Sequence, residues 1–228
     1  MATLKPLLLA GGRSSRMGTR KELLCIEDNE PMYKRLISVL HDTCPESDTV
    51  YISLRDRSAA QALYEYGDVP CPHGDMLELN ARGSTINVRV IHDNDDGNPQ
   101  GENADIGPAA GLLSAHRHDP SATWLVVACD YPFLTTAALK SLRQKSKSSR
   151  ASVTCFTNAE GFNEPLLAIW TTDALHTLQE NVEQGILGPS AVVKRLRGRT
   201  LRPEHEQWLF NINNWEEWQQ AMDMKRMN

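Results

Sequence analysis

The sequence predicts an α/β fold: a single domain over residues 1–228 in which a mostly parallel central sheet lies between two layers of helices. Three observations carry this expectation. Short apolar or alternating runs at residues 5–10, 49–54, 87–92 and 124–129 are separated by segments of helical periodicity, which is the rhythm of βαβ units. Residues 7–10 and 124–129 are apolar on consecutive positions, as central strands covered on both faces must be. A chain of 228 residues with 40% hydrophobic and 23% charged content is large enough to bury one sizeable core.

The elements follow in order. The first strand, residues 5–10, gives way to Gly11 and Gly12. Pro31 opens a helix over residues 31–43, whose stripe is Met32, Leu36, Ile37, Val39 and Leu40. A strand at 49–54 and a helix at 58–66 with Ser58 as its cap come next. Residues 67–84 hold Pro70, Pro72, Gly74 and Gly83 and read as an insertion, and 93–105 has loop composition. Gly107 opens a helix to about His118, and the strand 124–129 ends in Asp130-Tyr131-Pro132. Helices at 135–145, 172–183 and 185–196 and strands at 151–156 and 164–170 complete the second half, and Asn214 caps a final helix.

The chemistry concentrates in Leu7-Leu-Leu-Ala-Gly-Gly-Arg-Ser-Ser-Arg-Met-Gly-Thr-Arg-Lys21. Gly11 and Gly12 have no Cβ, so the backbone can turn sharply and bring amides close to oxyanions. Arg13, Arg16, Arg20 and Lys21 add concentrated positive charge, which suits a polyanion. Neither Gly-x-Gly-x-x-Gly nor a Gly-Lys-Ser/Thr ending is present, so the loop is neither a dinucleotide fingerprint nor a Walker loop. Asp130, at the end of an apolar strand, needs a partner for its charge; a metal ion is one and the next turn's capping is the other.

Composition excludes several classes. A formal net charge of −5 argues against a broad basic nucleic-acid face, and no apolar run is long enough to span a bilayer. No signal peptide is evident, so the expected location is cytoplasmic. The five cysteines, Cys25, Cys44, Cys71, Cys129 and Cys155, never form a Cys-x-x-Cys pair, which points to reduced thiols rather than a disulfide framework or zinc knuckle. His116 and His118 are two residues apart on a helix, so they diverge and suit surface or packing roles.

These motifs resemble the MobA-like nucleotidyltransferases, which include the molybdenum-cofactor guanylyl- and cytidylyltransferases. Their opening pattern, L-A-G-G-x-S-x-R-M-G-x-x-K, is filled at every fixed position from Leu9 to Lys21. Gly107-Pro-Ala-Ala-Gly111 is close to the family's Gly-Pro-Leu-Ala-Gly. Asp130-Tyr-Pro132 matches its Asp-x-Pro, and Glu164-Pro-Leu-Leu-Ala-Ile-Trp170 its E-P-L-x-A-x-Y. Phe210-Asn-Ile-Asn-Asn-Trp-Glu resembles the closing F-x-N-x-N-T-P-E-D-L, with Asn214 and Trp215 in place of Thr-Pro.

The resemblance implies a Rossmann-like domain of the nucleotide-diphospho-sugar transferase type, with a nucleotide-binding half of about 1–130 and an acceptor-binding half of about 131–228. It implies transfer of NMP from an NTP, GTP or CTP, to a phosphorylated small acceptor such as molybdopterin, with Mg²⁺ as cofactor and pyrophosphate released. Arg16, Lys21 and Asp130 are then the catalytic residues. Leu9, Ala10, Gly11, Gly12, Arg13, Ser14, Arg16, Lys21, Asp93 and Gly107 bind the nucleotide, with Asp95, Asp96 and Asp105 as alternatives to Asp93. Glu164, Pro165 and Ser190 belong to the acceptor side. Asp130 and Asn213 are the metal ligands, with Asn211 the weaker candidate. The cationic run Arg195, Arg197, Arg199 and Arg202 reads either as an acceptor contact or as a solvated basic face. Two other readings stand beside this one: a sugar-phosphate nucleotidyltransferase, and a nucleotide-binding module without turnover.

Overall fold

A computed structural model describes residues 3–12, 17–27, 30–65, 69–70, 75–81, 83–93 and 106–227. In chain order the elements are β1 (Leu4–Leu9), a 3₁₀ turn (Lys21–Leu23), β2 (Cys25–Glu27), β3 (Glu30–Pro31), α1 (Met32–Thr43), β4 (Val50–Leu54), α2 (Arg57–Glu65), β5 (Val69–Pro70), β6 (Met76–Ala81) and β7 (Ser84–His92). The chain continues through α3 (Ala109–His118), β8 (Thr123–Ala128), α4 (Thr136–Lys147), β9 (Val153–Thr157), β10 (Asn163–Trp170), α5 (Thr172–Glu183), α6 (Pro189–Arg195), β11 (Arg199–Leu201), a 3₁₀ turn (Glu206–Leu209) and α7 (Trp215–Arg226).

One nine-stranded sheet runs in the order β11-β9-β10-β8-β1-β4-β7-β6-β5, and β2 and β3 form a separate small ribbon. Its central pairs β8/β1, β1/β4 and β4/β7 are parallel; only β6 and β10 run against the rest. The sheet is covered on both faces because its strands alternate two apolar sets. Leu8, Leu125 and Val127 face α1, α2 and α4. Leu7, Leu9, Trp124 and Val126 face α3, α5 and α6. This is the expected α/β/α sandwich. β4 lies on one side of β1 and β8 on the other, so the order reverses beside β1 and a crevice opens above the strands' carboxyl ends.

Several boundaries differ from the sequence reading, each for a local reason. The insertion contains an antiparallel extension: Met76–Ala81 alternates and pairs with Ser84–His92, turning at Gly83 with φ +81°. α2 is capped by Asp56, whose carboxylate accepts from the Ala59 amide at 3.0 Å and from the Ser58 hydroxyl at 2.6 Å. Ser58 therefore sits inside the helix. Pro31 stands one residue before α1, and its extended ψ of 146° ends the β2–β3 ribbon. Gly185 does not start the helix expected over residues 185–196 but stops α5. With φ +79° it lets the Ile186 amide reach back to the Asn181 carbonyl at 2.8 Å, and α6 starts only at Pro189. The cap at Asn214 forms as expected, accepting from the Glu217 amide, and Thr135, expected as the first residue of its helix, is instead the cap of α4, accepting from the Ala138 amide.

The cationic run is largely used in structure. Arg195 meets Glu180 and Asn181, Arg199 meets the Lys145 carbonyl, and Arg202 meets the Asn158 carbonyl. His116 is buried edge-on to His176 of α5, whereas His118 packs edge-on to Tyr51 of β4, so the two histidines do diverge. Cys25, Cys44, Cys129 and Cys155 are free thiols; Cys71 lies outside the described residues. No helix among the described residues is long and apolar enough to cross a membrane.

Candidate active site

The crevice between β1 and β8 gathers its polar groups from the ends of the strands. β1 is held at its carboxyl end by both neighbours: the Ala10 amide donates to the Ser53 carbonyl at 2.9 Å, and the Cys129 amide to the Leu9 carbonyl at 3.0 Å. These two groups of Leu9 and Ala10 are committed to the sheet.

Gly11 is required by crowding. A Cβ built there would lie 2.4 Å from Asp93 Oδ2 and 3.2 Å from the Arg55 nitrogen, so the chain passes directly beside the Asp93 carboxylate. Gly12 meets nothing within 4 Å and is exposed. Arg13, Ser14 and Arg16 lie outside the described residues, as do Asp95, Asp96 and Asp105.

Asp93 follows β7 and is fixed from two sides. Its amide donates to the Leu54 carbonyl, and the Ser53 hydroxyl donates to its Oδ1 at 2.5 Å. Burial pushes its carboxyl up to about 6, partly offset by the Ser53 bond and by Arg117. Arg117 reaches the Ser114 hydroxyl, which in turn donates to the Asp93 carbonyl. Ser53 went unremarked in the sequence; the signal was a hydroxyl within an otherwise apolar strand.

The approach of α3 to the sheet depends on Gly111. A Cβ there would lie 2.5 Å from Ser53 Oγ and 2.8 Å from Leu9 Cδ2. Gly111 therefore serves the close packing of α3 on the sheet. Gly107 is exposed, with φ +60°, in the turn before the helix.

Asp130 follows β8 after one residue, Cys129. Burial pushes its carboxyl up, and the Lys21 ammonium, 3.7 Å from Oδ2, opposes that shift. Lys21 also donates to Asn213 Oδ1 at 2.9 Å. Asn213 is brought here by the C-terminal segment, which returns from the far edge of the sheet and docks through the Ile212 amide on the Asp130 carbonyl at 2.9 Å. The Asn213 amide donates to Glu217, whose own amide is capped by Asn214, so the start of α7 presents the Asn213 side chain. Glu217 was readable as the third residue after a capping Asn. A half-buried carboxylate paired with a half-buried ammonium, beside a carboxamide oxygen, is a hard-oxygen donor set that fits a small divalent cation. Among the described residues no group of three His, Cys, Asp or Glu side chains is placed to hold a metal. Substrate phosphates and water would have to supply the other ligands.

On the second half of the edge, Glu164 accepts from the buried Tyr131 hydroxyl at 2.8 Å. Burial pushes the Glu164 carboxyl up, the Tyr131 bond opposes this, and the charge of Asp130 adds to the rise. Between Glu164 and Ala168 the register of β10 shifts, and the Pro165 carbonyl accepts from Trp170 Nε1 at 2.8 Å across that irregularity. Because β10 is antiparallel to β8, its first residues lie at the same edge as Asp130. α5 then climbs back to that edge, which puts half-exposed Ser190 there, in the first turn of α6.

Residues 6–200 match the sequence model of the MobA-like NTP transferase domain. The chain belongs to this family. It is a nucleotidyltransferase of the nucleotide-diphospho-sugar transferase fold. It is 25% identical over 215 residues to a molybdenum cofactor biosynthesis bifunctional protein of Synechocystis sp., covering 94% of this chain and 52% of that one, so it spans about half of that relative. It is 24% identical to a probable molybdenum cofactor guanylyltransferase of Flavobacterium johnsoniae, over 95% of each chain. Among solved structures, the molybdopterin-guanine dinucleotide biosynthesis protein A of Archaeoglobus fulgidus superposes with a TM-score of 0.69, at 20% identity over 98% of this chain and 100% of that one. That likeness is one of fold.

Proposed function

We propose that this nucleotidyltransferase moves NMP from a nucleoside triphosphate, GTP or CTP, to the phosphate of a molybdopterin-like acceptor in the presence of Mg²⁺. The single observation that supports it best is the meeting of Lys21, Asp130 and Asn213 above the β1/β8 crevice. Two of the three come from opposite ends of the chain, and together they offer a cation and hard oxygens at one point. Relatives named guanylyltransferases favour the molybdopterin acceptor and GTP.

The acceptor phosphate attacks the α-phosphorus, the bond to the bridging oxygen breaks, and pyrophosphate leaves with the electron pair. A phosphate monoester is already ionised near neutral pH, so the chain needs no strong base; it must bring anions together and hold them in line. Lys21 neutralises charge on the triphosphate. The amides of Gly11 and Gly12 line its path, with Arg13, Ser14 and Arg16 in the same loop of the sequence. Asp93, carried against Gly11, faces the nucleoside side, and the turn at Gly107 closes that side. Asp130 and Asn213 would hold Mg²⁺, which supplies charge neutralisation for the phosphates when bound. Glu164, positioned by Tyr131, with Pro165 and Ser190, borders the acceptor.

The test is pyrophosphate release from GTP, CTP, ATP and UTP with Mg²⁺, offered molybdopterin and a panel of phosphorylated sugars. Turnover with molybdopterin on GTP or CTP is expected. Turnover on a sugar phosphate alone, or tight nucleotide binding with no turnover on any acceptor, would overturn the reading.

A further inference from the structure

Trp215, the first residue of α7, is 48% exposed, an expensive place for the largest apolar side chain. Its indole N–H donates to the Met17 carbonyl at 2.9 Å, across 198 residues of sequence. A phenylalanine would pack against the same surface but could not make that bond. Where the family pattern has Thr-Pro, the proline ring has no donor either, so the tie belongs to this chain's Asn214-Trp215.

Met17 is a fixed point. Its side chain is buried in a small core with Ile26, Met32, Ile212 and Ala221, to which Trp218 packs from α7. The next residue, Gly18, turns the chain at φ +63°. Arg20 then reaches Glu22 and the Ser58 hydroxyl at 3.4 Å each, and Lys21 ends the stretch on Asn213. The segment 17–21 is therefore fastened at its first and last residues to 213–215, a pair of neighbours set by the start of α7. The Met17 end uses the indole and the Lys21 end uses the carboxamide.

We infer that Trp215 is a positioning residue: its indole straps the Met17 end of segment 17–21 to α7 and so presets the stretch that delivers Lys21 to the triphosphate. The inference rests on the nucleotide site proposed above. Without the indole bond the loop keeps its glycine turn and its Lys21–Asn213 contact but must be ordered by the nucleotide itself, a cost that appears in nucleotide affinity.

The test compares the full chain with Trp215→Phe and Trp218→Phe. Amide hydrogen exchange of segment 18–21 reads the strap without any turnover. It is expected to speed about tenfold in W215F while exchange in the central strands stays unchanged. Binding of Mg²⁺ with a GTP analogue carrying a methylene between the α and β phosphorus atoms is expected to weaken about five- to tenfold. KM for the nucleotide should rise by a similar factor, with kcat falling less than that. W218F, which loses packing but no bond to the loop, is expected to leave 18–21 exchange near wild type. Unchanged exchange of 18–21 in W215F overturns the strap, as does a uniform rise across the chain, which would mark a merely structural residue. If the wild-type chain transfers to no acceptor, the proposed function fails, while exchange and analogue binding still decide the strap.

Discussion

The Lys21 ammonium lies 2.9 Å from the Asn213 side-chain oxygen although the two residues are 192 apart in sequence. It stands at the same time 3.7 Å from Asp130. The lysine thus bridges the two oxygens proposed as metal ligands, and it must share or exchange them when a metal-bound triphosphate arrives. Lys21→Met keeps the aliphatic stem and removes the charge. Transfer is expected to fall by about 10²-fold or more, since a preorganised cation at developing charge is worth roughly 3 kcal/mol or more. Circular dichroism should show the fold intact. A kcat/KM within tenfold of wild type would show that the ammonium does not clamp the triphosphate.

Asp130→Asn separates function from stability. Burial already disfavours the ionised carboxylate, so replacing it with a neutral isostere relieves a cost while leaving Lys21 with one fewer counter-charge. The two changes oppose each other, and the expected effect on stability is less than about 1 kcal/mol in either direction. Transfer, by contrast, is expected to drop about 10³-fold, on the scale of losing a principal electrostatic group. Thermal melting and turnover measured on the same preparation check this; near-normal turnover would remove Asp130 from the mechanism.

Asp93 should make stability depend on pH in an unusual direction. Its folded-state value is raised from 3.8 to about 6, so the folded protein holds this proton more tightly than the unfolded chain does. Its contribution is most favourable below about pH 4 and is lost as pH rises through 6. Asp93→Asn removes that slope and should be more stable than wild type at pH 7 by up to about 3 kcal/mol, an advantage that vanishes near pH 4. Melting temperatures of both proteins between pH 4 and 7.5 test it. Parallel curves would mean that Asp93 is not desolvated as described.

Gly111→Ala is the sharpest test of the packing behind the site. The added methyl would stand 2.5 Å from Ser53 Oγ and 2.8 Å from Leu9 Cδ2, so the ends of both side chains must shift to admit it. Overpacking of this kind costs about 1–3 kcal/mol. It also displaces Ser53, the residue that orients Asp93, so weaker nucleotide binding should accompany the lower melting point. An unchanged melting point would show that α3 has room to move outward.

Much of this molecule is readable in local sequence because the physics involved is local. The unbroken apolar runs at Leu7 and Leu125 declare strands covered on both faces, and Asn214 declares the last helix by capping it. Gly185 is read wrongly for an equally local reason: a glycine flanked by helical residues can start one helix or stop another, and only its φ of +79° decides. Ser58 and Asp56 compete for one cap, and Asp56 takes it, because its carboxylate stands just before the first turn and accepts from the Ala59 amide. The antiparallel pairing of Met76–Ala81 with β7 could not be seen, since prolines and glycines around it mask a six-residue alternation.

By itself, then, the sequence determined the α/β layers, the glycine loop after β1, the carboxylate after β8 and the family to which these motifs belong. Only the tertiary structure decided which groups meet. Asn213 reaches Lys21, Trp215 reaches Met17, and Ser53 holds Asp93 against Gly11, each across tens to nearly two hundred residues. Periodicity and capping act within a few residues and leave their mark on neighbouring letters. Contacts such as these form only after the sheet order has brought distant strand ends to one edge, and no local pattern encodes that order.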